Sequence, residues 1–144
     1  MTPDATCLFC EIAAGSLPAT IVHADDEVTA FLDTRPVFKG HVLVVPRAHA
    51  ETLTDLPAEA VGPYFTRVQA MARAVETGLD AAGTFVAINN RISQSVPHLH
   101  THVVPRNRKD GLRGFFWPRT KYDDQQEAES YAHKIRAALA KDAA

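Results

Sequence analysis

The stretch SVPHLHTHVVPR, residues 95–106, sets histidines at every second position, His98, His100 and His102, between Pro97 and Pro105. Its β-branched residues and flanking prolines predict a short strand. Alternate residues of a strand point to one face, so the three imidazoles are expected to share one side of a sheet. Left without partners, three neighbouring buried imidazoles would cost on the order of a few kcal/mol. A fold that keeps this row must therefore give each ring something to bind or to do.

Two roles suit the row. If all three rings held one metal, as in three-histidine zinc sites, the strand would have to bend, because residues 98 and 102 lie roughly 13 Å apart at a rise of about 3.3 Å per residue. In the second role the middle ring is a nucleophile, and its neighbours orient it and contact a charged reacting group. A neutral imidazole attacks phosphorus readily, and the phosphoramidate it forms can be hydrolysed by water.

The rest of the chain predicts the frame. FCEIAAG (9–15) reads as a short helix closed by Gly15, which takes the left-handed cap conformation freely. TIVHA (20–24) and EVTAFLD (27–33) flank Asp25 and Asp26 and predict a hairpin. GHVLVVPR (40–47) is a third strand, too continuously apolar for an edge. Tyr64, Phe65, Val68, Met71, Ala72, Val75 and Leu79 form one stripe of a long helix within 57–80, with a break expected near Gly62 because Pro63 follows it. GTFVAINN (83–90) is the fourth strand and the histidine segment the fifth. Asp124 and Glu127 have capping-box spacing before a terminal helix whose face is Ala128, Tyr131, Ile135, Ala138 and Leu139. The sum is an α+β fold on a five-stranded, mostly antiparallel sheet, in one domain over 1–144 with a core at 5–106 and an extension at 107–144.

A formal net charge of -2 gives no electrostatic reason for nucleic-acid or membrane-surface binding. No apolar run has the length of a membrane span, and MTPDATCLFC lacks the pattern of a secretory signal, so a cytoplasmic location is expected. The two cysteines, Cys7 and Cys10, form CLFC. In a reducing compartment that leaves a metal half-site, a redox pair or two incidental thiols. A metal would need two more ligands.

QSVPHLHTHVV resembles the histidine triad (HIT) motif, in which histidines alternate with apolar residues after a Gln-Ser pair. CLFCEI, AFLDTRPVFKGHVLVVPRAH and VAINN resemble further segments of the same family, in order, over residues 7 to 106. The resemblance implies an α+β fold, usually a homodimer with paired sheets, and attack on the α-phosphate of a nucleotide. His100 is then the nucleophile, His102 a donor to the phosphate oxygens, and His41 a ring that hydrogen-bonds toward the nucleophile. Ser95 and Gln94 fall beside the leaving group with Asn89 nearby, and Asp33 accepts the ribose hydroxyls. Phe9, Ile12, Phe31 and Leu43 wall the base. A structural zinc falls to Cys7, Cys10, His49 and His98, while His23 and His133 match nothing functional.

The chain also departs from the family pattern. Thr101 stands where an apolar residue is usual, which predicts a less dry strand face, and NNRISQS is short and lacks the usual glycines. Arg113, Phe115, Phe116, Trp117 and Arg119 match no motif and suit either a phosphate or base contact or a covering role. The cysteine pair leans toward the Hint-like branch. It implies cleavage of a purine nucleoside phosphoramidate or similar AMP derivative, ahead of dinucleoside polyphosphate hydrolysis or a nucleotide-binding module with vestigial catalysis.

Overall fold

In a computed structural model that describes residues 6–113 and 119–143, five strands form one sheet in the order β1-β2-β3-β5-β4, with every neighbour antiparallel. The strands are β1 (Ile21–Ala24), β2 (Val28–Leu32), β3 (Val42–Pro46), β4 (Gly83–Ala87) and β5 (Thr101–Arg106). The helices are α1 (Leu8–Ala13), α2 (Ala58–Leu79) and α3 (Gln125–Ala143). The chain divides into two compact units, Met1–Asp110 and Gly111–Ala144. Phe115, Phe116 and Trp117 lie outside the described residues.

Period-two alternation sorts the first unit into two cores. Val28, Ala30, Val42, Val44, Leu99 and Val103 meet Tyr64, Val68, Met71 and Val75 of α2 on one face. Phe31, Leu43 and Val45 meet Cys7, Phe9 and Cys10 on the other. The continuously apolar β3 is the middle strand and is buried throughout, as expected for a strand covered on both faces.

Local chemistry fixes the ends. After α1 the Gly15 N–H donates to Ile12 C=O and the Ser16 N–H to Glu11 C=O, with Gly15 at φ +81°. This is the paired bonding that closes a helix on a left-handed glycine. Between β1 and β2, Asp25 Oδ1 accepts the N–H groups of Glu27 and Val28 at 2.8 and 2.9 Å. Ahead of α3, Asp124 Oδ1 accepts the Glu127 N–H, and the Glu127 carboxylate accepts the Asp123 N–H, one residue earlier than a simple capping box. Tyr131, Ile135 and Leu139 of α3 are exposed.

Three expectations are corrected. The helix does not break at Gly62: α2 runs through Pro63. The proline deprives only the Glu59 carbonyl, on an exposed first turn that water can reach, and the stripe beyond it is held by the sheet. Regular strand begins at Thr101, so His98 and His100 precede the β5 ladder. The Thr101 face is dry: the residue is fully buried, and its hydroxyl meets Tyr64 Oη at 2.6 Å.

Candidate active site

The second face of the sheet carries the histidines. His98 is fully buried, His100 is 4% exposed and His41, just ahead of β3, is 3% exposed. The Phe9 ring stands edge-on to His100 at 5.1 Å and to His98 at 6.0 Å between centroids. His100 and His102 are 5.1 Å apart. The rings do form a row, but its members have separate partners.

Hydrogen bonds assign the protons. His100 Nδ1 lies 2.8 Å from the His98 carbonyl, which can only accept, so Nδ1 carries hydrogen, and in the neutral ring Nε2 is the nitrogen with the lone pair. The Val37 N–H donates to His41 Nδ1 at 3.1 Å. His41 Nε2 then bears the proton and donates to His102 Nδ1 at 2.9 Å. That leaves His102 with Nε2–H as a free donor. His41 therefore bonds to His102 and not to His100; the His98 carbonyl orients His100. The bond that the resemblance implied toward His100 is made to His102 instead.

Burial pushes His102 down to about 4; the neighbouring His100 and His41 add to the effect and Asp33 opposes it. Burial lowers His41 in the same way, again opposed by Asp33. Asp33 Oδ1 accepts the Arg35 N–H at 2.9 Å in a turn, while Oδ2 lies 3.8 Å from His41 Nε2. Asp33, His41 and His102 are close enough to enclose a cation. The His41 and His102 nitrogens that face each other are already joined by a hydrogen bond, so the group reads as a proton-holding chain.

The cysteines gather a different set. Cys7 and Cys10 are unbridged thiols. His98 Nδ1 lies 3.3 and 3.4 Å from their sulfurs and 3.2 Å from His49 Nδ1, and Cys10 Sγ is 3.4 Å from His49 Nδ1. His98 Nε2–H donates to the Pro46 carbonyl, which turns the Nδ1 lone pair inward. A tetrahedral zinc with Zn–S near 2.3 Å and Zn–N near 2.0 Å separates its ligand atoms by about 3.3–3.8 Å. The four residues fit it. Burial pushes His98 down to about 4, so it offers that lone pair at neutral pH.

Phe9, Phe31 and Leu43 are buried in one cluster with Ile12 against it, beside the cysteines. Ser95 is exposed and shares a groove of about 430 Å³ with Cys7, His49 and Glu51. Gln94 is tied into its loop: Nε2 donates to the Glu51 carbonyl and Oε1 accepts the Arg91 N–H. Asn89 is exposed. His23 is half-exposed and paired with Asp25.

The HIT domain family matches residues 14–109. The chain belongs to the HIT family. It is 36% identical over 137 residues to "Protein hit" of Bacillus subtilis, covering 94% of this chain and 92% of that one. It is 32% identical over 123 residues to the adenosine 5'-monophosphoramidase HNT1 of Saccharomyces cerevisiae, covering 85% and 76%. The crystal structure of a Zn-bound histidine triad family protein from Mycobacterium smegmatis aligns with a TM-score of 0.71 at 39% identity, covering 94% of each chain. Within this HIT protein, two features escaped sequence reasoning, the His41 to His102 bond and the Tyr64 to Thr101 bond. The only sequence signal for the second was a threonine where the family has an apolar residue.

Proposed function

We propose that this HIT protein is a nucleotide hydrolase or transferase that cleaves a purine nucleoside phosphoramidate, or a similar AMP derivative, at its α-phosphate. The observation that carries the reading is the His100 Nδ1–H bond to the His98 carbonyl, which aims a bare Nε2 away from the backbone. His100 Nε2 attacks phosphorus, the bond from phosphorus to the leaving amine breaks, and the amine leaves with a proton that water supplies through the Ser95 hydroxyl. The hydroxide left behind is neutralised by the proton released when water attacks in the second step. Water then attacks the phosphorus of the nucleotidyl-histidine, releasing AMP and restoring the imidazole. His102 Nε2–H, held outward by His41, donates to a non-bridging oxygen as charge builds.

Asp33 keeps Oδ2 for the ribose hydroxyls, and Phe9, Ile12, Phe31 and Leu43 form the apolar wall for the base. Gln94 acts through the shape of its loop, next to Ser95 and Asn89. Zinc, when bound by Cys7, Cys10, His49 and His98, supplies a structural cross-link. His98 thus joins α1 and the His49 segment to the carbonyl that orients the nucleophile.

The test is intact-protein mass measurement after quenching with an adenosine phosphoramidate, on the wild-type chain and the slow variant Ser95→Ala. An added adenylate is expected in both and absent in His100→Ala, whose turnover should fall at least about a thousandfold. No adduct and no AMP release from any form would instead favour a nucleotide-binding module.

A further inference from the structure

The face of β5 turned away from the imidazoles points at α2. Thr101 and Val103 lie on that face, Leu99 lies on the same side just ahead of the strand, and all three are fully buried. Leu99 and Val103 pack in the apolar core with Tyr64; Thr101 is the polar member. The Tyr64 hydroxyl lies 2.7 Å from the Val44 carbonyl and 2.6 Å from Thr101 Oγ1. A carbonyl only accepts, so Tyr64 donates to Val44, and the Thr101 hydroxyl donates to Tyr64 Oη. Val44 and Thr101 are cross-strand partners on β3 and β5. One phenol oxygen therefore ties a helix to two strands.

The position of the tie matters. Thr101 is the first residue of β5 and lies between His100 and His102 in the chain. His102 is inside the ladder, opposite Leu43, whereas His100 is beyond its end. Ladder support stops where the Tyr64 contact acts. Burial pushes the phenol well above its usual range, against hydrogen bonds from the Thr101 side chain and backbone, so the hydroxyl keeps its proton.

We propose that Tyr64 and Thr101 are positioning residues: their buried hydroxyl clasp fixes the peptide between His100 and His102 and so sets the attacking nitrogen against the phosphate donor. The inference rests on the reading of His100 as nucleophile. The clasp touches no substrate, so it acts on the chemical step and leaves nucleotide affinity alone.

The experiment compares Tyr64→Phe, Thr101→Val and the double variant with wild type, each first shown to be folded at the assay temperature. Each single change is expected to lower kcat about tenfold with KM moved less than about twofold, because small misplacements of reacting groups cost rate before binding. The double variant should lose no more than the worse single, since either change opens the same clasp. Thr101→Ser, which keeps the hydroxyl, should stay within about twofold of wild type. In parallel, the ring N–H signals of His100 Nδ1 and His41 Nε2 are followed by NMR in the same proteins. Shifted or faster-exchanging ring signals in Tyr64→Phe and Thr101→Val, restored in Thr101→Ser, would support the clasp. Wild-type kcat and ring signals in the folded variants would overturn it, even if their melting temperature fell. A wild-type chain without turnover would sink the proposed function alone, and the ring signals would still decide the clasp.

Discussion

At the scale of single residues, the site depends on which ring nitrogen holds a proton. His102 is neutral because burial and its histidine neighbours depress it to about 4, from 6.5 in the open chain. Between those two values the unfolded chain binds a proton that the folded chain refuses. The contribution to stability is therefore complete above about 6.5 and is lost as pH falls toward 4. The expected outcome is a urea midpoint that drops from about pH 7 to about pH 5 and drops less in His102→Asn. Equal slopes in the two proteins would mean that His102 is not held neutral by folding. Asp25 does not blur the comparison. Burial raises its carboxyl, but the hydrogen bonds from His23, Val28, Glu27 and Arg67 outweigh that and hold it well below the carboxylate range, so its contribution is lost only at lower pH.

At the scale of elements, the turns were less legible than the strands. Burial dictates the apolar runs that located β2, β3 and β5, whereas β1 is exposed at all four residues and was legible through the turn at Asp25 and Asp26. The loop at 89–95 was harder to read. It lacks the glycines usual in the family, yet Arg91 and Ser93 adopt φ of 69° and 61°. Gln94 and Asn90 hold it there, the latter through Oδ1, which accepts the Leu53 N–H. Side-chain bonds of this kind have no periodicity to reveal them. Gly40, between β2 and β3, is a case where glycine is required: its φ is +97°, and an added Cβ would run into the Leu79 side chain at the end of α2. Leu79 is half-exposed and can swing away, but the backbone strain stays. Gly40→Ala is expected to cost roughly 1–2 kcal/mol in urea unfolding. A cost near zero would mean that the turn relaxes to a negative φ.

At the scale of the molecule, spacing alone put the three histidines on one side and gave CLFC as a metal half-site, while His49 and His98 as its partners came only from the family resemblance. What connects them needed coordinates: His98 gives Nδ1 to the cysteine cluster and its carbonyl to His100. That link closes wholly within the first unit, as do the two cores, whose buried members run from Cys7 to Val103. The end of the unit is also tied off locally. Asp110 accepts from Arg106 Nε and the Asn107 N–H, and Asn107 Oδ1 accepts the Ala82 N–H. A chain ending at Asp110 therefore keeps every bond just named. It is expected to unfold in one cooperative urea transition and to hold one zinc per chain, removed by chelation or by Cys7→Ser. A truncated protein that aggregates, or that loses signal without a transition, would mean that residues 111–144 complete the fold.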